Sequence, residues 1–499
     1  MNSEIEYVYS DSLGKWSIYP VNCFDDERLV SEAEMKDYSE TLNRAAVDYL
    51  CAREGDRDNT RLRVWFFRPR RIPRELPAGY DSTANVANNA ELEQVVDDGF
   101  KESIIKSPSE LDFHLAEVNG WKSQQTVTYY FDSKNSWSRL LVPEEIIRKI
   151  FANYLIKPKL LSILITFGEK IKTTEESLLS YFDNIQELNP FRTMHSGDAS
   201  AYTYGELNGY EIGYNIKYVA RHNRTLPKDP FVVRQTGVYQ KFNPQDKRTI
   251  WVLIHAASGL KERLKSIFAK FNQRPRDFAL QLEIHLTILT YCGDNWRPYI
   301  TYLENFAEDL IDRGFYSQAI EQPGIGSLQA ETSDVRELHF LSDKLRRLVQ
   351  LVDLDIHLGY KFLQFVRRLI VAWSRTEAEP NPRLNELVVG VEDYLLGLEV
   401  SKSRIVSLFD RVKEILTLVR QVLDFRNEES NRNISLNLKT LVAASVEENM
   451  HMRYIAEKGA KDTKLVKIIT IITAVFFPAT FVAVSWIHFI VTIFKGREK

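Results

Sequence analysis

The chain has 499 residues, of which 44% are hydrophobic and 27% charged, and its formal net charge at pH 7 is −3. This composition is typical of globular proteins and allows roughly two to four domains with buried cores. Because lysine and arginine are scattered and the net charge is small, the composition excludes a strongly basic nucleic-acid-binding protein. Its three cysteines form no CxxC pair, which argues against a disulfide framework and indicates a reducing compartment.

The N-terminal part mixes strand-like with helix-like segments, and we predict a cytosolic α/β domain over residues 1–325. No basic segment followed by an apolar one opens the chain, so we expect no secretory signal. Residues 81–93 are polar, and we expect them to be mobile. Aromatic and β-branched runs predict strands at 61–67, 126–131, 160–167, 231–242 and 248–256, and helical spacing predicts helices at 143–155 and 258–271.

A region of long helices follows, and we predict a stalk-like segment over residues 326–467. Between 338 and 373 apolar residues recur every three or four positions, as in a long amphipathic helix. Pro380 and Pro382 interrupt this pattern and predict a turn. Two further helical runs follow, at 405–422 and, more polar, at 434–467.

The last segment differs from the rest of the chain because residues 468–494 contain no Asp, Glu, Lys or Arg. This uncharged stretch is longer than the roughly 20 residues that span a hydrocarbon core of about 30 Å. We therefore predict one C-terminal transmembrane helix over residues 468–494, followed by a short basic tail over 495–499. The alternative is a soluble coiled-coil region whose final helix is buried.

No motif for catalysis or cofactor binding occurs, so we predict neither an enzyme nor a bound cofactor. The chain lacks HExxH, GxSxG, Walker A, GxGxxG and paired CxxC sequences. Gly205, Gly209 and Gly213 lack phosphate-loop spacing and favour strand or turn positions. The nine histidines are far apart in sequence, which favours packed or solvated side chains over metal ligands. Asp353 and Asp355 could contact a hydrated divalent ion, but acidic pairs on helices are usually solvated, so the sequence defines no metal site.

The uncharged segment carries its polar residues on one side. At about 100° per residue they fall within an arc of roughly 140° on a helix. Such a face packs against other helices or lines a pore; alternatively, its hydroxyl groups bond back to carbonyls of their own helix. Pro478 in mid-segment favours a packed bundle over an isolated anchor. The candidate pore-lining or helix-packing residues are Thr470, Thr473, Thr480, Ser485, His488 and Thr492.

Two segments of the chain resemble a known family. Residues 462–483, "DTKLVKIITIITAVFFPATFVA", are similar to the end of the stalk helix and the first membrane helix of the fungal branch of the CorA-like magnesium transporters. Residues 294–306, "DNWRPYITYLENF", are similar to a segment that precedes the long helices in fungal members. The resemblance implies a pentamer in which the first membrane helix of each subunit lines a central pore. It also implies Mg²⁺ as a transported or regulatory ion.

The end of the chain departs from the pattern of that family. Family members carry a Gly-Met-Asn motif at the outer end of the first membrane helix, and a second membrane helix follows it. Here residues 485–490 read "SWIHFI", and no second apolar span follows. Either the second helix was lost, or the last residues are read from a retained intron, since Val484 and Ser485 can be encoded by the splice-donor sequence GTAAGT.

From these observations we expect a CorA-like membrane protein that transports divalent metal cations, either as a homo-oligomer or only with full-length relatives. The alternative is a membrane-anchored, non-conducting regulatory or interaction protein. The expected partners are the lipid bilayer and further subunits, without nucleic acid. Basic residues are more numerous before the apolar segment than after it, which favours a single-pass topology with residues 1–467 in the cytosol. They are Arg453, Lys458, Lys461, Lys464 and Lys467 before it, and Lys495, Arg497 and Lys499 after it.

Overall fold

The computed structural model describes residues 16–20, 32–52, 60–67, 100–119, 126–135, 138–169, 179–187, 207–222, 224, 229–244, 248–270, 278–317, 330–374 and 382–496. The polar stretch 81–93, for which mobility is expected, lies outside these residues, and so does Pro380.

Within these ranges the chain forms seven β-strands and nine α-helices. The strands are β1 (Leu62–Phe67), β2 (Phe100–Ile105), β3 (Thr126–Phe131), β4 (Tyr181–Glu187), β5 (Leu207–Arg221), β6 (Phe231–Asn243) and β7 (Arg248–Ile254). The helices are α1 (Glu32–Ala45), α2 (Pro108–Asn119), α3 (Glu144–Asn153), α4 (Lys159–Leu164), α5 (Ser258–Lys270), α6 (Phe278–Gly293), α7 (Trp296–Tyr316), α8 (Thr332–Ser374) and α9 (Pro382–Lys495).

All seven strands join one mixed sheet in the order β2-β1-β3-β7-β6-β5-β4. The neighbours β3 and β7 run parallel, with Tyr129 opposite Val252. The other neighbouring pairs are antiparallel. Because β3 lies inside the sheet with both faces covered, its sequence "TVTYYF" is buried at every position and shows no polar alternation.

Helices cover both faces of this sheet. On one face, alternate residues of β1, β3 and β7, such as Val252, join a buried core with residues of α1 to α4. On the other face, the rings of Trp65 and Phe268 (α5) lie 6.4 Å apart, and those of Trp251 and His285 (α6) lie 4.7 Å apart. The predicted fold class, an α/β domain followed by long helices, is therefore confirmed.

One predicted strand is wrong, because residues 160–167 form helix α4 and the turn after it. The amide of Ile165 donates to the carbonyl of Leu161 at 3.0 Å, as in a helical turn. This short run is apolar at nearly every position, and periodicity cannot distinguish a buried strand from a buried helix of that length. The other four predicted strands appear as β1, β3, β6 and β7, and both predicted N-terminal helices appear as α3 and α5.

The long helices are present, but fewer than the sequence suggested. The run predicted at 338–373 lies within α8, and the three later runs, including the uncharged segment, are one continuous helix, α9. Pro382 is the first residue of α9, where its missing amide N–H costs nothing. From Asn431 to Ile493 each residue of α9 is exposed.

The chain groups into two compact units. The first contains Met1–Ile311 and Arg336–Glu414, and the second contains Asp312–Val335 and Ile415–Lys499. Within the second unit, Arg313 pairs with Asp334 at 2.9 Å, and Arg426 Nη2 donates to Ser317 Oγ at 2.8 Å. The domain boundaries predicted after residues 325, 467 and 494 stay predictions.

Gly168, in the turn after α4, offers a test of this packing. Its φ is +106°, and an added Cβ would lie 2.6 Å from Tyr49 O and 2.9 Å from Leu50 Cα. Both contacts are with backbone, so we expect Gly168→Ala to lower the free energy of unfolding by about 1–3 kcal/mol. Thermal unfolding of the detergent-solubilised chain, followed by tryptophan fluorescence, measures this loss.

The matched control for Gly168→Ala is Gly397→Ala on α9. A Cβ at Gly397 meets nothing within 4 Å, and alanine is the better helix former by roughly 1 kcal/mol. This variant should unfold at the same temperature as the unaltered chain or higher. Equal unfolding temperatures for Gly168→Ala and the unaltered chain would contradict the close packing of the turn against Tyr49.

Candidate functional site

The uncharged end of α9 presents its apolar side chains outwards. Exposed fractions along it reach 67% for Phe477 and Phe481. No residue in the most apolar part of this helix is buried. The soluble alternative, a buried final helix, is therefore not realised within the described part of the chain. A lipid bilayer or other protein chains must cover this surface, since apolar area of this extent is not left in water.

The structure places all six polar candidates on α9, and each of them is exposed. The four threonine hydroxyl groups donate to backbone carbonyls four residues earlier, which is the back-bonding alternative considered from the sequence. Each hydroxyl oxygen keeps acceptor capacity after donating, so the face can still accept hydrogen bonds from water. The bonds run from Thr470 to Val466 (2.7 Å), Thr473 to Ile469 (2.7 Å), Thr480 to Phe476 (2.9 Å) and Thr492 to His488.

Pro478 lies inside α9, and the helix continues through it. Since proline has no amide N–H, it cannot bond the carbonyl of Ala474 one turn earlier. In a bilayer an unsatisfied carbonyl is costly, so a neighbouring helix or a water molecule must supply its partner. This position therefore favours a bundle of helices over an isolated span.

The polar candidates form a line along one helix and not a cluster. Within the described residues no group of three or more His, Cys, Asp and Glu side chains could hold a metal ion. The acidic pair noted in the sequence is separated, because Asp353 bonds Lys402 at 2.7 Å whereas Asp355 is buried. Burial raises the pKa of Asp355 well above its usual value. A site built from the line of hydroxyl groups requires several copies of the helix.

Sequence reasoning missed a cationic cavity of about 640 Å³ in the first unit, which we call the sheet-end pocket. Its residues come from distant segments, so no local motif marks it; only the sheet topology brings them together. The six cationic residues that line it are Arg61, Arg63, Lys134, Arg224, Arg234 and Lys261.

Comparison with known proteins places the chain in a family. Residues 11–314 match the family model described as CorA-like transporters. This match covers the N-terminal part of the chain. Residues 462–483, which carried most of the resemblance to the CorA-like magnesium transporters, lie outside it. No curated protein matches the chain.

Two solved structures are similar to the chain. The full-length CmaX protein is 13% identical, with 63% of this chain and 72% of that chain covered and a TM-score of 0.32. The cytoplasmic domain of ZntB from Vibrio parahaemolyticus RIMD 2210633 is 9% identical, with 58% and 86% covered and a TM-score of 0.30. The family assignment comes from the sequence match and not from these two likenesses.

The family match and the exposed apolar helix together indicate a membrane protein with a soluble N-terminal bulk. Because the matched residues make up more than half of the chain, the protein belongs to the family of CorA-like transporters.

Proposed function

We propose that the protein is a subunit of an oligomeric transporter that moves divalent metal cations, with magnesium as its cargo, across a membrane. Membership of the CorA-like transporters is the observation that carries this proposal. The resemblance of residues 462–483 supports the fungal branch and magnesium within that family.

The polar face of α9 is our candidate for the pore wall. Thr470 and Thr492 are 22 residues apart, or about 33 Å along a helix, which matches the roughly 30 Å of a hydrocarbon core. In a ring of identical subunits each threonine would supply one hydroxyl oxygen per subunit at the same depth. Since Mg²⁺ gives up its water reluctantly, hydroxyl oxygens that accept hydrogen bonds from the ion's own water molecules suit the passage of a hydrated ion.

The assembly we propose is a homo-pentamer, as the family resemblance implies, or a hetero-oligomer with full-length relatives. The part of α9 before the apolar end supports assembly, because its exposed apolar residues include positions three and four apart. Ile434, Leu438 and Leu441 follow this spacing and are 60%, 58% and 68% exposed. Such a stripe is typical of helices that associate through a seam.

Flux measurements test the transport proposal. We expect purified protein in liposomes that contain a magnesium-sensitive dye to take up Mg²⁺, while empty liposomes do not. Uptake only after co-reconstitution with a full-length relative would support the hetero-oligomer. Absence of uptake in both experiments would contradict transport and favour the alternative, a membrane-anchored, non-conducting regulatory protein.

The pore-wall assignment predicts a difference between two near-isosteric substitutions. Thr480→Val removes one hydroxyl group per subunit from the polar face, and each lost hydrogen bond to water costs about 1 kcal/mol, so uptake should slow at least about fivefold. Val482 points to the opposite side of the helix, about 200° away, and Val482→Thr should leave uptake unchanged. Equal rates for Thr480→Val and the unaltered chain would remove Thr480 from the pore wall.

Deletion of residues 468–499 tests the membrane role of the apolar end. No residue from 468 to 493 is buried in the structure, so the deletion removes no buried contact from the described core. We expect the shortened chain to stay soluble after cell lysis and to unfold cooperatively, whereas the full chain sediments with membranes until detergent is added. A shortened chain that still sediments with membranes would contradict this role.

A further inference from the structure

The sheet-end pocket lies at the edge where the parallel strands β3 and β7 end. Asp132 and Ser133 directly follow β3, and His255 directly follows β7. The antiparallel neighbours β1 and β6 begin at this same edge, and they bring Arg61 and Arg234 to it. Ligands of α/β proteins commonly bind outside the carboxyl ends of parallel strands, because side chains from several segments converge there.

The pocket carries a large excess of positive charge. Six cations and one carboxylate, Asp132, line its described part, which leaves a formal charge of +5. Lys261 Nζ donates to Asp132 Oδ1 at 2.5 Å, and Arg63 Nη1 donates to Glu102 beside the pocket at 2.7 Å. In the described ranges no ion pair joins the remaining four cations, Arg61, Lys134, Arg224 and Arg234, to a carboxylate.

A buried guanidinium nitrogen and the start of a helix add to this charge. Arg63 Nε is shielded from solvent and has no hydrogen-bond partner among the described residues; its distance to Asp132 Oδ2 is 4.0 Å. Because water does not reach this nitrogen, it adds to the positive field at the pocket without itself facing the cavity. Ser258, the first residue of α5, also lines the pocket and brings the positive end of that helix to it.

His255 is bonded to the end of β3 through both its backbone and its side chain. His255 has a φ of +53°, uncommon for a residue other than glycine, and its amide donates to Phe131 O at 2.8 Å. Its Nδ1 lies 2.6 Å from Ser133 Oγ. Burial, and then the charge of Arg234, lower the pKa of His255 to about 4. The imidazole of His255 is therefore neutral near neutral pH and adds no charge to the pocket.

We propose that the sheet-end pocket binds a small organic molecule that carries two or three phosphate groups. Arginine forks match phosphate oxygens, and several uncompensated cations require a multiply charged ligand. The cavity of about 640 Å³ suits a small molecule and exceeds what one inorganic phosphate fills. No Phe, Tyr or Trp lines its described part, so that part offers no aromatic ring on which a base of a single-stranded nucleic acid could stack. The proposal goes beyond transport and stands whether or not the chain conducts ions.

Calorimetric titration of the full chain in detergent, without divalent cations, tests the proposal. The probes are ATP, inorganic pyrophosphate and citrate, a polyanion without phosphate. We expect ATP or pyrophosphate to bind once per chain and citrate to bind at least about tenfold more weakly. Arg61 and Arg224 are exposed, so the double variant Arg61→Ala/Arg224→Ala should fold normally and weaken polyphosphate binding about tenfold or more.

The matched control is Arg336→Ala/Arg432→Ala, which removes two charges from exposed positions on α8 and α9 outside the pocket lining. It should bind like the unaltered chain. Tighter binding of ATP than of pyrophosphate would support an organic ligand. No binding of either polyphosphate, equal binding by the double variant, or citrate binding of the same strength would overturn the proposal. Competition by a single-stranded oligonucleotide at the same arginines would overturn it too and assign the pocket to nucleic acid.

Discussion

The parallel pairing of β3 with β7 is the interaction on which the rest of the soluble unit depends. It joins strands that are more than a hundred residues apart in the chain and places them inside the sheet, where both faces are buried. Helices α1 to α4 pack on one face of this pair, and α5 and α6 contact the other. The same pairing brings Ser133 and His255 to one edge of the sheet, so the core and the sheet-end pocket both depend on the pairing of β3 with β7.

The second constraint on the protein is the uncovered apolar surface at the end of α9. A soluble protein would bury such a helix, yet the described chain supplies nothing that covers it. Lipid and neighbouring subunits can cover it together, with the apolar side towards lipid and the threonine face towards other helices or water. Membership of a transporter family gives this arrangement a function. We propose the line of hydroxyl groups as the surface that a hydrated ion would meet.

Sequence patterns revealed the features that depend on neighbours along the chain. Three features could be predicted because the residue pattern within a short stretch identifies them: the uncharged run, the helical spacing at 338–373, and the aromatic and β-branched strands. Residues 160–167 could not, since an apolar run of that length fits either a strand or a buried helix. The sheet-end pocket could not be predicted either, because Arg61 and Arg234 meet only through long-range strand pairing. Residues 11–314 match the family model, although sequence patterns offered only the layout of elements and the resemblance of residues 294–306 there.

We propose that the apolar end of α9 crosses a membrane and leaves the bulk of the chain on one side. The most direct measurement is protease protection in sealed microsomes that carry the full chain with an epitope tag after Lys499. We predict that external protease digests the soluble part and leaves a short protected fragment with residues 468–494 and the tag. Two results together would contradict a membrane crossing: complete loss of the tag before detergent is added, and release of the chain from the microsomes by alkaline carbonate.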